Sequence, residues 1–182
     1  MMNFKEINEE VLYTTDRIVN ISSEDIERLI AMAAGNARKR VRLCCHEDTE
    51  SPLHEMLIVH TRGAYIPPHK HIGKSESFHV IKGNLNVVIF NHDGTINDVI
   101  AMGDYGSGAK FYYRIPESCF HTVIPLSESV VFHEITNGPF IRENTIFPAW
   151  APDEEEPQKA KVYLEKLKEE VDEFLVHASL KR

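Results

Sequence analysis

The sequence predicts a mainly β protein, a single barrel of antiparallel strands with an accessory helix at each end. Three observations lead to this prediction. Eight short apolar segments follow one another between residues 41 and 135. Turn sequences separate these segments, and helical spacing of apolar residues is confined to the two ends of the chain. The 182 residues suit one domain, which we divide into an N-terminal helical extension (1–36), a barrel (37–152) and a C-terminal helix (153–182).

The first helix is predicted to begin after a serine and to end at a glycine. Ser22 or Ser23 can cap its N-terminus, and Gly35-Asn36 is a stop signal. An apolar face of this kind predicts a helix that packs on the barrel. The residues that share this face are Ile26, Leu29, Ile30 and Ala33.

The apolar segments between the two helices are spaced as the strands of an antiparallel β-barrel are. The Asp-Gly pair in Asn91-His-Asp-Gly94 predicts a hairpin turn, and residues 104–108 predict another loop. The predicted strands are residues 41–45, 56–60, 78–82, 85–90, 96–102, 111–115, 122–125 and 130–135.

The last element, from Glu154 to Lys181, is predicted to be a helix. Its apolar residues recur at intervals of three and four, which gives a continuous stripe. Such a stripe needs a partner surface, either its own barrel or a second subunit, and the sequence leaves both open. The residues of the stripe are Ala160, Leu164, Leu167, Val171, Phe174 and Ala178.

Charge and composition exclude several classes of function. The net charge of −8 argues against a broad nucleic-acid-binding surface. No apolar run approaches membrane-spanning length, and residues 1–8 lack the apolar core of a signal peptide. The three cysteines cannot build a disulfide framework, because two of them are adjacent. We therefore expect a cytoplasmic protein with reduced thiols and with no nucleic-acid or membrane partner.

The segment from Gly63 to Gly83 points most directly to a chemistry. His69 and His71 are separated by one residue, so in an extended strand both side chains project from the same face and can bind one ion. Glu76 begins a strand whose apolar residues share its parity, which predicts that the carboxylate points inward. Three ligands leave a divalent ion coordinatively unsaturated. A fourth can come from His121, at the head of a later apolar strand.

These residues resemble the cupin superfamily, whose first motif is G-x5-HxH-x3/4-E-x6-G. Gly63-x5-His69-x-His71-x4-Glu76-x6-Gly83 matches it without exception. The second motif, G-x5-PxG-x2-H-x3-N, is matched at two positions, Pro116 and His121. The departures affect the turn more than the ligand: Ser118 replaces the middle glycine, Pro125 replaces the asparagine, and the leading glycine is displaced to Gly108.

The resemblance implies a jelly-roll barrel, also called a double-stranded β-helix, that holds a divalent metal ion. By the family pattern the ligands are His69, His71, Glu76 and His121. Mixed nitrogen and oxygen ligands do not discriminate between zinc, iron, manganese and nickel. Similarity to dimeric cupins further implies a homodimer, with a small polar or anionic molecule as substrate. Cys119 is either a reactive group near the metal or a buried small hydrophobe.

A second group of residues is a candidate for substrate recognition. If residues 37–46 are extended, Arg40, Arg42 and His46 share one face. The planar fork of arginine suits carboxylates and phosphates, although a basic face on an edge strand is an equally open interpretation. His46, if it reaches the cavity, is the candidate catalytic base, because the ordinary histidine pKa lies near working pH.

Residues 38–152 also resemble the WbuC-type cupin metalloproteins, which are associated with bacterial surface-polysaccharide gene clusters. The similarity lies in the Arg-rich strand that ends in a histidine, in the HxH segment and in Phe147-Pro-Ala-Trp150-Ala-Pro152. It implies a role in polysaccharide biosynthesis.

Three functions are therefore open at this point. The first is a metal-dependent isomerase or epimerase that acts on a small sugar-derived or carboxylated substrate. The second is an Fe(II)-dependent dioxygenase, because the same ligands hold Fe(II) in cupin dioxygenases. The third is a non-catalytic module that binds a sugar, since one fold hosts many functions.

Overall fold

Three β-sheets and two helices make up the protein, in a computed structural model that describes residues 2–180. The helices are α1 (Ser23–Gly35) and α2 (Pro157–Ser179), and two 3-10 turns span Tyr105–Ser107 and Arg142–Asn144. The strands are β1 (Phe4–Asn8), β2 (Val11–Thr14), β3 (Arg40–Cys44), β4 (Leu53–Thr61), β5 (Lys70–His71), β6 (Glu76–Lys82), β7 (Asn84–Phe90), β8 (Ile96–Gly103), β9 (Tyr112–Ile115), β10 (Phe120–Pro125), β11 (Ser129–Asn137) and β12 (Thr145–Ile146).

The strands form a barrel from three sheets. The seven-stranded sheet, called the larger sheet below, has the order β1-β2-β3-β4-β11-β6-β9. The three-stranded sheet, called the smaller sheet, has the order β10-β7-β8, and β12 pairs with β5 in a two-stranded sheet. Every pair is antiparallel except β2 and β3. An isolated bridge between His69 and His121 joins the segment before β5 to β10. This is the predicted fold class, a single mainly β jelly-roll barrel with a helix at each end.

The barrel interior is filled from both sheets by alternating residues. Phe78, Val80 and Phe132 come from the larger sheet, and Leu85 and Val123 come from the smaller one. Because side chains alternate across a strand, the intervening residues face outward. The eight strands predicted from the sequence all occur, with bounds that differ by a few residues.

Each helix covers the outer face of one sheet. Ser22 caps α1, in a capping box with Asp25. The apolar face of α1 packs on outward-facing residues of β3, β4 and β11. The stripe of α2 packs on outward-facing residues of β7, β8 and β10, so its partner is its own barrel. None of the described helices combines the length and apolar composition needed to cross a membrane.

The two ends of the chain differ in detail from the sequence prediction. Residues 1–36 were expected to be a helical extension, yet they also contain β1 and β2, which extend the larger sheet beyond β3. Four of the five residues of β1 are exposed, so its sequence shows little apolar alternation. At the other end α2 begins at Pro157, and Lys181 of the predicted helix lies outside the described residues.

One interior residue is unexpectedly polar. His60, on β4, is 6% exposed and stands edge-on to Phe132. Among residues 2–180 its Nδ1 has no hydrogen-bond partner. Burial, and secondarily the charge of Arg40, lowers the pKa of His60 to about 3. The imidazole is therefore neutral in the folded protein at neutral pH.

We expect His60 to make the folded state sensitive to acid. The unfolded chain binds a proton near pH 6.5, which folded His60 does not bind until a much lower pH. The stabilising contribution of neutral His60 is thus complete above pH 6.5 and is lost as the pH falls toward the folded pKa. Between pH 7 and pH 4.5, His60→Leu should lose roughly 2 kcal/mol less unfolding free energy than the wild type.

Urea unfolding followed at several pH values measures this difference. His92→Leu is a matched control, because His92 is exposed in a turn. Equal acid sensitivity in His60→Leu and the wild type would show that His60 is not responsible.

Candidate metal centre

Backbone pairing brings His69 and His121 together. The N–H of each residue donates to the carbonyl of the other, at 3.0 Å and 2.9 Å. His71 follows on β5, where it pairs with Thr145 of β12. Since His69 and His71 are two positions apart in extended chain, both imidazoles reach the same side. The rings of His69 and His71 are 4.9 Å apart, and those of His69 and His121 are 4.5 Å apart.

Glu76 reaches the same point from the larger sheet. It is the first residue of β6, and it faces inward with Phe78 and Val80, as its parity predicted. Its carboxylate is 4% exposed. Oε2 of Glu76 lies 3.3 Å from Nε2 of His71, and Oε1 lies 3.2 Å from Nε2 of His121.

The four side chains form a cluster that fits a metal ion. One ligand atom from each of His69, His71, Glu76 and His121 lies within 4.8 Å of the others. Bonds of about 2.0–2.2 Å to zinc, for example, place the ligand atoms of one ion at most about 4.4 Å apart. Small side-chain shifts suffice to satisfy that limit. The structure thus brings together the four residues expected to be ligands.

Carbonyl groups fix the tautomers of two imidazoles. Nδ1 of His69 is 2.9 Å from the carbonyl oxygen of Pro67, and Nδ1 of His121 is 3.0 Å from that of Cys119. A carbonyl can only accept, so each Nδ1 must carry a hydrogen. In the neutral ring Nε2 is then a lone pair, available to a metal. This arrangement is the usual support of metal-bound histidine.

The contact between His121 and Glu76 is the strongest indication of a cation. Nε2 of His121 is buried and makes no hydrogen bond within residues 2–180, although Oε1 of Glu76 is only 3.2 Å away. In the neutral tautomer two lone pairs therefore face each other. Either a second proton on His121 or a cation between the two atoms relieves this repulsion. Because three imidazoles converge on one carboxylate, a metal ion satisfies more of these atoms than one proton can.

The ionisable side chains of the cluster shift one another's pKa values. Burial lowers the pKa of His69 to about 3, and the neighbouring imidazoles of His121 and His71 add to this effect. Burial alone would raise the pKa of Glu76, but the imidazoles, His121 first, outweigh it and hold that pKa below its usual range. Burial would also lower the pKa of His121, yet the Glu76 carboxylate raises it. A carboxylate ionised at neutral pH is the form that a metal requires.

Tyr113 is a residue of the site that the sequence did not identify. It faces inward on β9, and its hydroxyl donates to Oε1 of Glu76 at 3.3 Å. Burial, with the nearby carboxylates of Glu76 and Glu134, raises its pKa well above the usual value, so it remains a donor. The strand 111–115 was predicted, but its apolar and aromatic residues did not reveal which parity faces inward.

Glu134 is a second such residue. On β11 it stands opposite Met56 of β4 and Phe78 of β6, both of which belong to the interior core. The alternation of Val130, Phe132 and Glu134 along the predicted strand was a signal that could have located it.

The arginines expected to bind substrate have different surroundings. Arg40 is already engaged, because its guanidinium pairs with Glu10 and Glu154, each at 2.8 Å. The sequence did not predict these two ion pairs. Arg42 is exposed and lies opposite Ile58, an interior residue, so it projects from the interior side of the sheet.

His46, the expected base, lies outside the four-residue cluster. Its ring stacks on that of His54 at 4.0 Å, with 5° between the planes. Burial lowers the pKa of His46, so the imidazole is neutral at neutral pH. The thiol of Cys119 is likewise absent from the cluster within the described residues, although its carbonyl orients His121.

The sequence matches one family model, described as a domain of unknown function (DUF6016), over residues 21–102. No curated protein matches it.

Solved structures with a similar fold include three proteins. A protein from Shewanella oneidensis is 10% identical, with a TM-score of 0.46 over 57% of this chain and 66% of its own. Oxalate oxidase in complex with the substrate analogue glycolate is 16% identical, with a TM-score of 0.48 over 63% of this chain and 57% of its own. The cupin domain of Schizosaccharomyces pombe Cnp3 is 11% identical, with a TM-score of 0.44, and the match covers 54% of this chain and 64% of the Cnp3 domain. The chain spans less than two thirds of the length of each.

Removal of the Tyr113 hydroxyl should weaken metal binding without unfolding the protein. The hydroxyl orients the Glu76 carboxylate, and loss of such a partner typically costs about 10–100-fold in metal affinity. We expect at least about a 10-fold loss in Tyr113→Phe, measured by competition with a chromogenic chelator. Tyr112→Phe is the matched control, because Tyr112 is 55% exposed on the same strand. Equal affinities in both variants would contradict this role.

Proposed function

We propose that the protein binds one divalent metal ion through His69, His71, Glu76 and His121 and is a metal-dependent enzyme of the isomerase or epimerase type. The substrate is a small polar molecule, sugar-derived or carboxylated. The observation that carries the metal-binding part of the proposal is the approach of Nε2 of His121 to Oε1 of Glu76, with the Nδ1 atoms of His69 and His121 already held by carbonyls.

A divalent ion held by four protein ligands supplies Lewis acidity to a substrate oxygen at its open positions. The side chains of the site divide the remaining tasks. Glu76 and His121 are almost fully buried, which excludes water from the inner side of the cluster. His71 is 20% exposed, so the cluster is reached from its side.

Arg42 is the proposed anchor for an anionic part of the substrate. It is exposed on the interior side of the larger sheet, opposite the interior residue Ile58. Arg40 is instead a structural residue that ties β3 to Glu10 and to the segment before α2. The resemblance of residues 38–152 to WbuC-type cupins supports a substrate that belongs to surface-polysaccharide biosynthesis.

His46 is the proposed general base. The neutral imidazole of His46 can accept a proton. His46 follows β3, and β3 has residues that face the barrel interior. We expect His46→Gln to keep its metal and to lose turnover by about 100-fold or more. The assay is proton exchange from the substrate's acidic C–H into deuterated water, followed by NMR. Full exchange in the variant would remove His46 from the mechanism.

The metal proposal is tested by elemental analysis of protein purified without added metal and without an affinity tag. We expect close to one equivalent of zinc, manganese, nickel or iron in the wild type, and its loss in His71→Ala and in His121→Ala. His79→Ala is the control, because His79 is exposed on β6. Circular dichroism establishes that each variant is folded.

The alternatives have distinct outcomes in the same experiment. Iron, together with oxygen consumption that depends on it, would favour a dioxygenase over an isomerase. Bound metal with a sugar ligand returned unchanged would favour a binding module. No metal in the wild type, and none taken up on reconstitution, would contradict the proposal.

A further inference from the structure

The register of the larger sheet places an acidic side chain that is not one of the four proposed metal ligands inside the barrel. Glu134 of β11 pairs with Met56 on one side and with Phe78 on the other. Directly paired residues of antiparallel strands project from the same face. Because Met56 and Phe78 belong to the interior core, the Glu134 carboxylate also points inward.

The Glu134 side chain is partly exposed, so a ligand in the barrel interior can reach it. Within residues 2–180 the Glu134 carboxyl group makes no hydrogen bond, and the charged groups that act on it are Glu76 and Arg42. Burial raises the pKa of Glu134 well above the usual value, Glu76 adds to the shift, and Arg42 opposes it. Met56 and Phe78 show that the same layer of the barrel accepts apolar side chains.

The Glu134 carboxyl group faces the barrel interior and is partly exposed. Because no hydrogen bond from residues 2–180 reaches it, it is free to accept one from a bound ligand.

The distance between Glu134 and the cluster limits the size of that ligand. Glu76 pairs with Thr136, and Glu134 is two residues along the same strand, so the two glutamates are diagonal neighbours. Diagonal neighbours on one sheet face are roughly 7–8 Å apart at Cα. A ligand held at the cluster reaches Glu134 with a chain of a few carbon atoms.

The charges define the two ends of the ligand. A divalent ion in a cluster of three neutral imidazoles and one carboxylate leaves a net positive charge, which attracts a carboxylate oxygen. Glu134 can accept a hydrogen bond from a hydroxyl group, because a carboxyl group keeps an acceptor oxygen in either protonation state. We propose that Glu134 is a specificity-determining residue, which binds a hydroxyl group of a short hydroxylated carboxylate whose carboxylate end is held at the metal cluster. This inference rests on the proposed metal site.

The test compares two carboxylates of equal chain length on the metal-loaded protein. Gluconate carries hydroxyl groups along its chain, and hexanoate carries none. Isothermal titration of the wild type should show gluconate binding at least 10-fold more tightly than hexanoate. In Glu134→Met this preference should disappear, and in Glu134→Gln, which keeps one acceptor oxygen, it should be partly retained. Glu128→Gln, an exposed carboxylate just before β11, is the matched control and should behave as the wild type.

Metal affinity and thermal unfolding are measured on the same variants. Metal affinity should change less than 3-fold in Glu134→Met, because Glu134 is not a ligand. Its melting temperature should not fall, since Glu134 makes no hydrogen bond within residues 2–180 that the substitution would remove. A purely structural role for Glu134 predicts a lower melting temperature.

Each failure is distinguishable. A gluconate preference that survives in Glu134→Met, or a lower melting temperature in that variant, would overturn the role of Glu134. Metal binding by the wild type without any preference for gluconate would overturn the proposed ligand class and leave the metal site intact. A wild type that binds no metal would instead contradict the proposed function.

Discussion

The reciprocal backbone hydrogen bonds between His69 and His121 are the interaction on which the site depends. They fix two distant segments in one register, so that the alternation of an extended chain carries His71 to the same side as His69. The same backbone then supplies the carbonyls of Pro67 and Cys119, which hold the Nδ1 hydrogens. Glu76 is brought to these imidazoles by the larger sheet. The cluster is thus assembled by main-chain pairing, and few side-chain contacts are needed to orient it.

The division of the hydrophobic core explains how the barrel accommodates polar groups inside. Helix α1 builds one apolar layer on the outer face of the larger sheet, and α2 builds another on the outer face of the smaller sheet. These layers stabilise the strands from outside. The interior can therefore include His60, Glu134 and the cluster at one end without depending on apolar packing alone. The apolar contacts of the two helices therefore offset the destabilising effect of polar groups inside the barrel.

The sequence predicted those features that follow from local periodicity. The inward direction of Glu76 and the shared face of His69 and His71 rest on the two-residue period of a strand, and the cap at Ser22 on local hydrogen bonding. The N-terminal strands were not predicted, because their residues are mostly exposed and polar. The engagement of Arg40 depends on Glu10 and Glu154, which are remote in the chain. Such pairings are set by tertiary structure, which periodicity does not encode.

The central claim is that three imidazoles and one carboxylate bind a single ion. X-ray absorption spectroscopy of protein loaded with one equivalent of zinc tests it most directly, since the spectrum counts imidazole ligands and measures their distances. The account predicts three imidazole nitrogens and at least one oxygen at about 2.0–2.2 Å. A spectrum with a sulfur ligand, or one dominated by water oxygens with fewer than two imidazoles, would contradict it.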